Sequence, residues 1–252
     1  MFGYSGGRDS VACKPKFTVM ALAASDTEGL VVFKTESQSV CNNKNLEVSP
    51  EFHKGGISIQ DRGWRGLIKV DQSIFLNYFN KNLSSLDFEV LVINDYSEDD
   101  TFARAQKLFE NEKNFKVFNN LKKGLGGAIT LGIEKAIGEN VAIMMADLSD
   151  DVKDLIRYNE ILNNKKIDAV LGSRFLKSSI VNDYPIKKLI LNRIFNFIVS
   201  ILFWNKYNDY TNAFKIYKKQ VLKEIKPLVS ESFNIFLEIP LKPITRNYKY
   251  EI

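Results

Sequence analysis

The sequence predicts an α/β fold in which a parallel sheet is covered by helices on both faces. From residue 67 onward, short apolar runs alternate with segments of helical period, and the connections between them are only a few residues long. Two of the runs, residues 88–93 and 141–146, are apolar except for Glu89, which is typical of strands buried on both faces of a parallel sheet. With 252 residues, of which 45% are hydrophobic, the chain is long enough to bury such a core.

The predicted elements follow one another in regular order. A short strand is predicted at residues 67–70. A helix follows it, because Ile74, Tyr78 and Leu83 fall on one face together with two phenylalanines. The remaining elements are a strand at 88–93, a helix at 99–111, a strand at 115–118, a helix at 126–137, a strand at 141–146, a helix at 152–162, a strand at 167–171, an apolar helix at 186–204, a helix at 218–225 and an apolar segment at 233–244.

Residues 1–65 differ in character and are interpreted as an unassigned N-terminal segment, partly disordered or of foreign origin, before a domain at 66–252. Within them, residues 17–23 and 30–33 are predicted to pair as a hairpin. Residues 5–10 resemble the phosphate loop of ATP pyrophosphatases. A phosphate loop needs a strand before it and a helix after it, but only four residues precede this one and Pro15 interrupts a helix. A mobile, glycine-rich terminus is therefore the favoured interpretation.

Composition excludes several kinds of site. The chain has a single histidine, His53, so it has neither a Ser/His triad nor a histidine-based metal centre. Its two cysteines lack metal-ligand spacing, and any metal must therefore be held by oxygen, which favours Mg²⁺ or Mn²⁺. The net charge of +5 is spread along the chain, so nucleic acid is not a predicted partner, whereas an anionic membrane or a phosphorylated substrate is. No run reaches the roughly 18 apolar residues that cross a bilayer.

Carboxylates follow the two most apolar strands. In open α/β sheets, ligands bind beyond the carboxyl ends of the strands, and this is where Asp95, Asp147 and Asp150 stand. Asp147 comes too early to cap the helix that starts near residue 152, so we assign it to a metal or ligand and assign the cap to Ser149 or Asp150. Asp95 is suited to accept hydrogen bonds from the N–H edge of a uracil or guanine base.

A glycine-rich stretch lies between these two strand ends. Residues 122–128 contain two lysines and three glycines at the start of a predicted helix, which permits close approach of the backbone to a phosphate. Glycine-rich helix starts are common, so this stretch alone is weak evidence.

Taken in order, these stretches resemble family 2 glycosyltransferases with the GT-A fold, most closely the dolichol-phosphate mannose synthase-like branch. The resemblance implies the GT-A form of the α/β fold, a Rossmann-like, mixed but mostly parallel sheet with helices on both faces. Residues 93–101 resemble the family's Asp-Asp-Gly-Ser-x-Asp-x-Thr motif, 123–128 its Lys-Gly-x-Gly helix start, 145–147 its Asp-Ala-Asp, and 172–174 its Gly-Ser-Arg, while 192–193 and 209–215 are similar to the acceptor-side motifs of the branch. The resemblance extends from about residue 74 to the C-terminus.

The chain also departs from the family pattern at several positions. Met145 and Ser149 replace an aspartate and a glutamine of the metal motif, and Asn94 and Tyr96 replace an aspartate and a glycine of the nucleotide motif. The strand at 67–70 is not followed by the Pro-x-Tyr-Asn-Glu of the family's opening strand. The chain stops before the basic segment of the branch, so we expect the domain at 66–252 to be truncated at its C-terminus.

The resemblance implies a role for each site residue. Asp147, Asp209 and Arg174 are the implied catalytic residues, with Asp147 and Asp150 holding Mg²⁺ or Mn²⁺ and Asp209 orienting or deprotonating the acceptor. The implied substrate-binding residues, which contact the base and the phosphates of donor and acceptor, are Asp95, Ser97, Lys123, Gly124, Gly126, Ser173, Arg193 and Lys215. For Arg193, an arginine that snorkels from an apolar helix is an equally good interpretation.

The implied reaction moves a hexose, mannose or glucose, from a nucleotide sugar to a polyprenyl phosphate such as dolichyl or undecaprenyl phosphate. The implied location is cytoplasmic and peripheral, at the inner face of the membrane, with the helix at 186–204 on the lipid. Two alternatives remain open. One is the same chemistry on a soluble or cell-surface glycan, and the other is a truncated, non-catalytic remnant that still binds nucleotides.

Overall fold

The fold is built on a seven-stranded sheet, accompanied by a three-stranded one. The computed structural model describes residues 17–23, 31–34, 60–62, 65–84, 86–97, 100–145, 150–177, 179 and 186–252. The strands in these ranges are β1 (Phe17–Ala23), β2 (Val31–Lys34), β3 (Gln60–Arg62), β4 (Arg65–Asp71), β5 (Phe88–Asn94), β6 (Phe115–Asn119), β7 (Asn140–Met145), β8 (Ala169–Leu171), β9 (Lys215–Lys218) and β10 (Tyr250–Glu251).

The large sheet has the order β10-β8-β9-β7-β1-β5-β6. Strand β9 runs antiparallel to both of its neighbours, and every other pairing in this sheet is parallel. This arrangement confirms the predicted mixed, mostly parallel sheet. The small sheet has the order β2-β4-β3.

Helices cover both faces of the large sheet. They are α1 (Gln72–Asn82), α2 (Thr101–Phe109), α3 (Leu125–Lys135), α4 (Val152–Asn164), α5 (Ile186–Leu202), α6 (Lys219–Glu224) and α7 (Ile235–Thr245). Successive side chains of a strand point to opposite faces, so Val90 and Val92 of β5 pack with α1, α2 and α4, whereas Leu91 and Ile93 pack with α3, α6 and α7. The helices predicted from periodicity are therefore present, with ends shifted by a few residues.

Helix α4 begins differently from the prediction. Its N-cap is Asp151, whose side chain accepts a hydrogen bond from the Lys153 N–H at 2.9 Å. The expected caps, Ser149 and Asp150, were therefore wrong. Asp151 also accepts a 2.6 Å bond from the Tyr78 hydroxyl, which ties α1 to the start of α4.

The polar residue inside β5 has a structural explanation. Glu89 is only 2% exposed. Its carboxylate accepts hydrogen bonds from the Thr18 hydroxyl at 2.6 Å, the Ile137 N–H at 2.7 Å and the Lys116 ammonium at 3.0 Å. A buried carboxylate needs such partners, and Glu89 uses them to fasten β1, β6 and the turn after α3 together.

The N-terminal hairpin prediction was wrong. β1 lies between β5 and β7 in the large sheet, and β2 pairs with β4 instead of with β1. The strand predicted at 67–70 exists as β4, but it belongs to the small sheet. The opening strand of the large sheet is therefore Phe17–Ala23. The predicted domain boundary at residue 65 stays a prediction. Strand β1 lies within the N-terminal segment 1–65, and it forms part of the large sheet.

Candidate functional site

The predicted site residues gather at one edge of the large sheet. Asp95, Asp150 and Arg174 follow the carboxyl ends of β5, β7 and β8. Lys215 reaches the same edge because β9 is antiparallel and its first residue is in register with the last residue of β8. Asp147, the expected metal ligand, lies outside the described residues.

Asp95 organises the first half of the site. It is 4% exposed, and its Oδ1 accepts hydrogen bonds from the Gly124 N–H at 2.9 Å and the Asn120 amide at 2.7 Å. Asn120 also donates to the Gly124 carbonyl at 3.2 Å. Asn120 was not among the predicted site residues, although its place just after the predicted strand 115–118 was a usable signal. Asp95 therefore ties the end of β5 to the glycine-rich turn, residues 120–127.

The glycines of this turn pack against another part of the chain. A Cβ on Gly124 would lie 2.5 Å from the Glu231 carbonyl oxygen, and a Cβ on Gly126 would lie 1.8 Å from that of Ser230. The Gly126 N–H donates to the Glu231 carbonyl at 3.1 Å. Gly124 also has φ +111°, which favours glycine. Close approach is thus required here by protein packing, a reason that the sequence analysis did not foresee.

Glu238 holds the segment that covers the turn. Its carboxylate accepts hydrogen bonds from the Val229 N–H at 2.9 Å and the Ser230 N–H at 2.7 Å, and it pairs with Lys242 at 2.7 Å. Burial alone would raise the pKa of Glu238, but the hydrogen bonds from Lys242 and the two backbone groups outweigh it and lower the pKa to about 2. Glu238 thereby acts on the glycine-rich turn through the Ser230–Glu231 backbone.

Two other predicted donor-binding residues lie near this half. Lys123 is exposed within the turn. The Ser97 hydroxyl is buried and has no hydrogen-bond partner among the described residues.

The second half of the site is built on a buried ion pair. Asp209 is fully buried and accepts hydrogen bonds from Arg174 through its backbone N–H at 2.9 Å, its Nε at 2.9 Å and its terminal nitrogen at 2.7 Å. The Arg174 side chain remains 29% exposed. Both oxygens of Asp209 are therefore engaged by Arg174.

Lys215 is buried beside this pair. Its ammonium donates to the Tyr210 carbonyl at 3.2 Å and lies 5.9 Å from the centre of the Tyr207 ring. Burial lowers the pKa of Lys215 to about 7, although the negative charges of Asp209 and Asp150 partly oppose this shift. The charge of Lys215 is therefore poised to change near neutral pH.

Helix α5 is fastened to the second half through its inner face. Asn196 accepts a hydrogen bond from the Tyr210 N–H at 2.6 Å, and Asn192 accepts one from the Thr211 hydroxyl at 3.1 Å. Thr211 in turn accepts a bond from Arg174 at 3.1 Å. These asparagines were not among the predicted site residues.

The outer face of α5 is apolar and exposed. Phe197 is 64% exposed, and Ile190, Leu191, Ile194, Phe195, Ile198, Ile201 and Leu202 are also exposed. Arg193 is exposed as well, with its guanidinium 5.0 Å from the centre of the Phe175 ring. Across the described part of the chain, no helix combines the length and the apolar character needed to cross a membrane.

Ser173 shapes the turn that carries Arg174. Its hydroxyl donates to Asn208 at 2.6 Å and accepts a bond from the Phe175 N–H at 3.0 Å. Ser173 is 9% exposed, and both of its hydroxyl contacts are within the protein. In this structure Ser173 therefore stabilises the turn that positions Arg174.

The oxygen donors expected for a metal are only partly described. Asp150 is half-buried, and its charge acts on both Lys215 and Tyr158. Within the described residues, no group of three or more acidic, histidine or cysteine side chains is placed to hold a metal ion. Asp150 is nevertheless of the hard-oxygen type that Mg²⁺ and Mn²⁺ prefer.

Comparison with known proteins identifies the family of this chain. The model of the family described as "Glycosyl transferase family 2" matches residues 75–226, more than half of the chain. The chain belongs to glycosyl transferase family 2.

Two curated relatives of this glycosyltransferase share about a quarter of their aligned residues with it. A dolichol-phosphate mannosyltransferase of Pyrococcus furiosus is 28% identical over 165 residues, which cover 64% of this chain and 46% of the relative. A dodecaprenyl-phosphate galacturonate synthase of Rhizobium johnstonii is 26% identical over 141 residues, which cover 55% of this chain and 40% of the relative. The chain thus spans less than half the length of these relatives.

A solved glycosyltransferase structure supports the fold. Glucosyl-3-phosphoglycerate synthase from Mycobacterium tuberculosis, solved with Mn²⁺ and UDP-glucose, superposes with a TM-score of 0.53 at 12% identity, covering 92% of this chain and 65% of that one. Together with the mixed sheet and its helices on both faces, this confirms the predicted GT-A fold.

Proposed function

We propose that this glycosyltransferase moves a hexose from a nucleotide sugar to a polyprenyl phosphate at the cytoplasmic face of the membrane. The relatives that match the chain include enzymes named for dolichol-phosphate and dodecaprenyl-phosphate substrates. The proposal extends that substrate class to this chain.

One observation carries the proposal, namely that the cluster of Arg174, Asp209 and Lys215 is joined by hydrogen bonds to an exposed apolar helix. Arg174 and Lys215 supply positive charge at the sheet edge, and Thr211 links Arg174 to Asn192 on α5. The same helix presents its apolar face outward. A lipid phosphate matches both features. Its anionic head suits the two basic side chains of the cluster, and its hydrocarbon chain suits the apolar surface beside α5.

The donor would bind between the two halves. Asp95 and the glycine-rich turn form the part assigned to the nucleotide, and Lys123 lies exposed in that turn. Asp147 and Asp150 would hold Mg²⁺ or Mn²⁺. When bound, such an ion would offset charge on the leaving nucleoside diphosphate.

The residues of the second half would position the acceptor rather than activate it. A phosphate monoester already carries negative charge at neutral pH, so its oxygen needs orientation and charge neutralisation more than a strong base. Arg174 would donate hydrogen bonds to the acceptor phosphate. Asp209 holds Arg174 in place by accepting three hydrogen bonds from it. Asp209 then acts as an orienting residue and Lys215 as a second positive charge beside it.

We further propose that α5 lies on the inner surface of the membrane as a peripheral anchor. An amphipathic helix with aromatic and aliphatic residues outward, and lysines at its start, is typical of helices that lie in the plane of an anionic bilayer. Arg193 would then face the lipid headgroups.

The decisive experiment offers the protein a panel of labelled nucleotide sugars with Mn²⁺ and a polyprenyl phosphate in liposomes. We expect label to enter the lipid phase, and we expect Asp147→Asn to abolish that transfer. Asp87→Asn is the matched control, because Asp87 is exposed and precedes β5, at the opposite edge of the sheet. Full activity of Asp147→Asn would refute its assigned role. Transfer only to water-soluble acceptors would refute the lipid substrate, and nucleotide binding without transfer to any acceptor would favour the non-catalytic alternative.

A further inference from the structure

Tyr96 stands in a strained position that the fold does not explain. Its φ is +57°, a left-handed conformation that few non-glycine residues adopt. Lys166, Trp204 and Asn247 share this feature, but they follow the ends of α4, α5 and α7, where a left-handed residue commonly ends a helix. Tyr96 instead follows a strand. Strain kept at such a place is a signal of function.

Core packing does not account for the residue either. The Tyr96 side chain is 46% exposed. Its hydroxyl donates a 3.2 Å hydrogen bond to the Leu121 carbonyl, so the ring extends from the end of β5 to the start of the glycine-rich turn. An exposed aromatic ring is thereby held at a set place next to Asp95.

Polar residues stand on either side of Tyr96, with Asp95 buried and Ser97 half-buried. Asp95 uses Oδ1 for both of its described protein contacts, with Gly124 and Asn120. The Ser97 hydroxyl is buried and lacks a partner in the described part of the chain. Three consecutive residues thus offer a carboxylate, an aromatic face and a hydroxyl. A nucleobase has a flat π face and an edge of N–H and carbonyl groups that match this set.

We propose that the Tyr96 ring is the surface on which the base of the donor nucleotide stacks, with Asp95 reading the N–H edge of that base. This inference rests on the proposed function and adds a base-binding residue to it. It also gives the strained tyrosine a role that glycine, which would relieve the strain, could not fill.

Three variants separate stacking from other roles. Tyr96→Gly removes the ring and relieves the backbone, Tyr96→Phe keeps the ring and removes the hydroxyl, and Lys166→Gly relieves the same kind of strain far from the site. Each protein is titrated by calorimetry with UDP, GDP and inorganic pyrophosphate, all with Mn²⁺. Pyrophosphate has no base and therefore reports on the phosphate subsite alone.

If the base stacks on the Tyr96 ring, the three variants should differ in their affinity for nucleotides but not for pyrophosphate. Tyr96→Gly should bind the preferred nucleotide about tenfold or more weakly, because stacking of a base on an aromatic side chain commonly contributes that much. Its pyrophosphate affinity and melting temperature should stay close to the wild-type values, since glycine adopts the same backbone conformation. Tyr96→Phe and Lys166→Gly should bind all three probes as the wild type does.

Several results would overturn the inference. Equal nucleotide affinity of Tyr96→Gly and the wild type would remove the stacking role while leaving the proposed function intact. A parallel loss of pyrophosphate affinity, or an equal loss in Tyr96→Phe, would show that Tyr96 merely holds the turn through its hydroxyl. A wild-type protein that binds neither nucleotide would overturn the proposed function and this inference together.

Discussion

Replacing Asp209 by asparagine is predicted to destabilise the protein strongly. Asp209 is fully buried and accepts three hydrogen bonds from Arg174. Asparagine has nearly the same shape but turns one acceptor oxygen into a donor, so at least one bond is lost and the guanidinium loses its counter-charge. Removing one partner of a buried ion pair costs roughly 3–5 kcal/mol. Because Arg174 is 29% exposed, water compensates part of this loss, and we expect the free energy of unfolding to fall by about 2–4 kcal/mol.

Urea unfolding followed by circular dichroism measures this change. Glu134→Gln is the matched control, since the carboxylate of Glu134 pairs with Lys226 at 3.1 Å on the surface. We expect the control to change the free energy of unfolding by less than about 1 kcal/mol. In the double variant Arg174→Met with Asp209→Asn, the loss should be smaller than the sum of the single losses, because the two residues share one interaction.

The same substitution should weaken phosphate binding through Lys215. The charge of Asp209 raises the pKa of Lys215 against the effect of burial, so its removal favours the neutral amine at pH 7.5. Calorimetric titration with pyrophosphate should show the loss. A stability change below about 1 kcal/mol, with unchanged pyrophosphate affinity, would show that Asp209 does not hold the second half together.

Three further substitutions test the packing of the glycine-rich turn, the pKa of Lys215 and the exposed face of α5. Gly126→Ala would bring a Cβ within 1.8 Å of the Ser230 carbonyl oxygen, so we expect a loss of about 1–3 kcal/mol in urea unfolding; an unchanged midpoint would contradict the packing. Lys215 has a pKa of about 7 when folded against 10.5 for an ordinary lysine, so the unfolded state binds more protons between these values. Its contribution to stability should therefore rise from pH 7 to pH 9, and Lys215→Met should lack that rise; equal pH slopes would refute the shift. Phe197→Asp places a charge on the exposed face of α5 and should reduce co-sedimentation with anionic liposomes without changing the melting temperature, whereas undiminished co-sedimentation would count against membrane contact.

The layers of the fold were predictable where the signal is local. The runs at 88–93 and 141–146 gave β5 and β7 because a strand buried on both faces leaves no room for polar residues except a fully bonded one such as Glu89. The place of β1 was not predictable in the same way. Its partners, β5 and β7, are distant in sequence, whereas residues 26–29, Asp-Thr-Glu-Gly, have a composition typical of a turn and favoured a hairpin that does not form.

The site was predictable in composition but less so in its contacts. Motif order brought Arg174, Asp209 and Lys215 to one place, and the structure joins them as a buried cluster. The support for the glycine-rich turn was missed, because Glu238 and Ser230 lie more than a hundred residues further along the chain and leave no periodic signal near it. Such tertiary contacts determine whether a glycine is required for packing or for ligand binding, and the local sequence does not reveal them.

The contacts of the turn change how the donor half is expected to work. The N–H groups of Gly124 and Gly126 already donate to Asp95 and to the Glu231 carbonyl, so they are not available to cradle a phosphate unless those bonds break. Breaking a buried hydrogen bond without replacing it costs about 1–3 kcal/mol, which would oppose binding. The turn therefore acts best as a rigid support, and under the proposed function the charge of the donor diphosphate would be met by side chains such as Lys123 and by an ion held at Asp147 and Asp150. Gly124 and Gly126 thus preserve the shape of the site, and under the proposed function the side chains around them would recognise the donor.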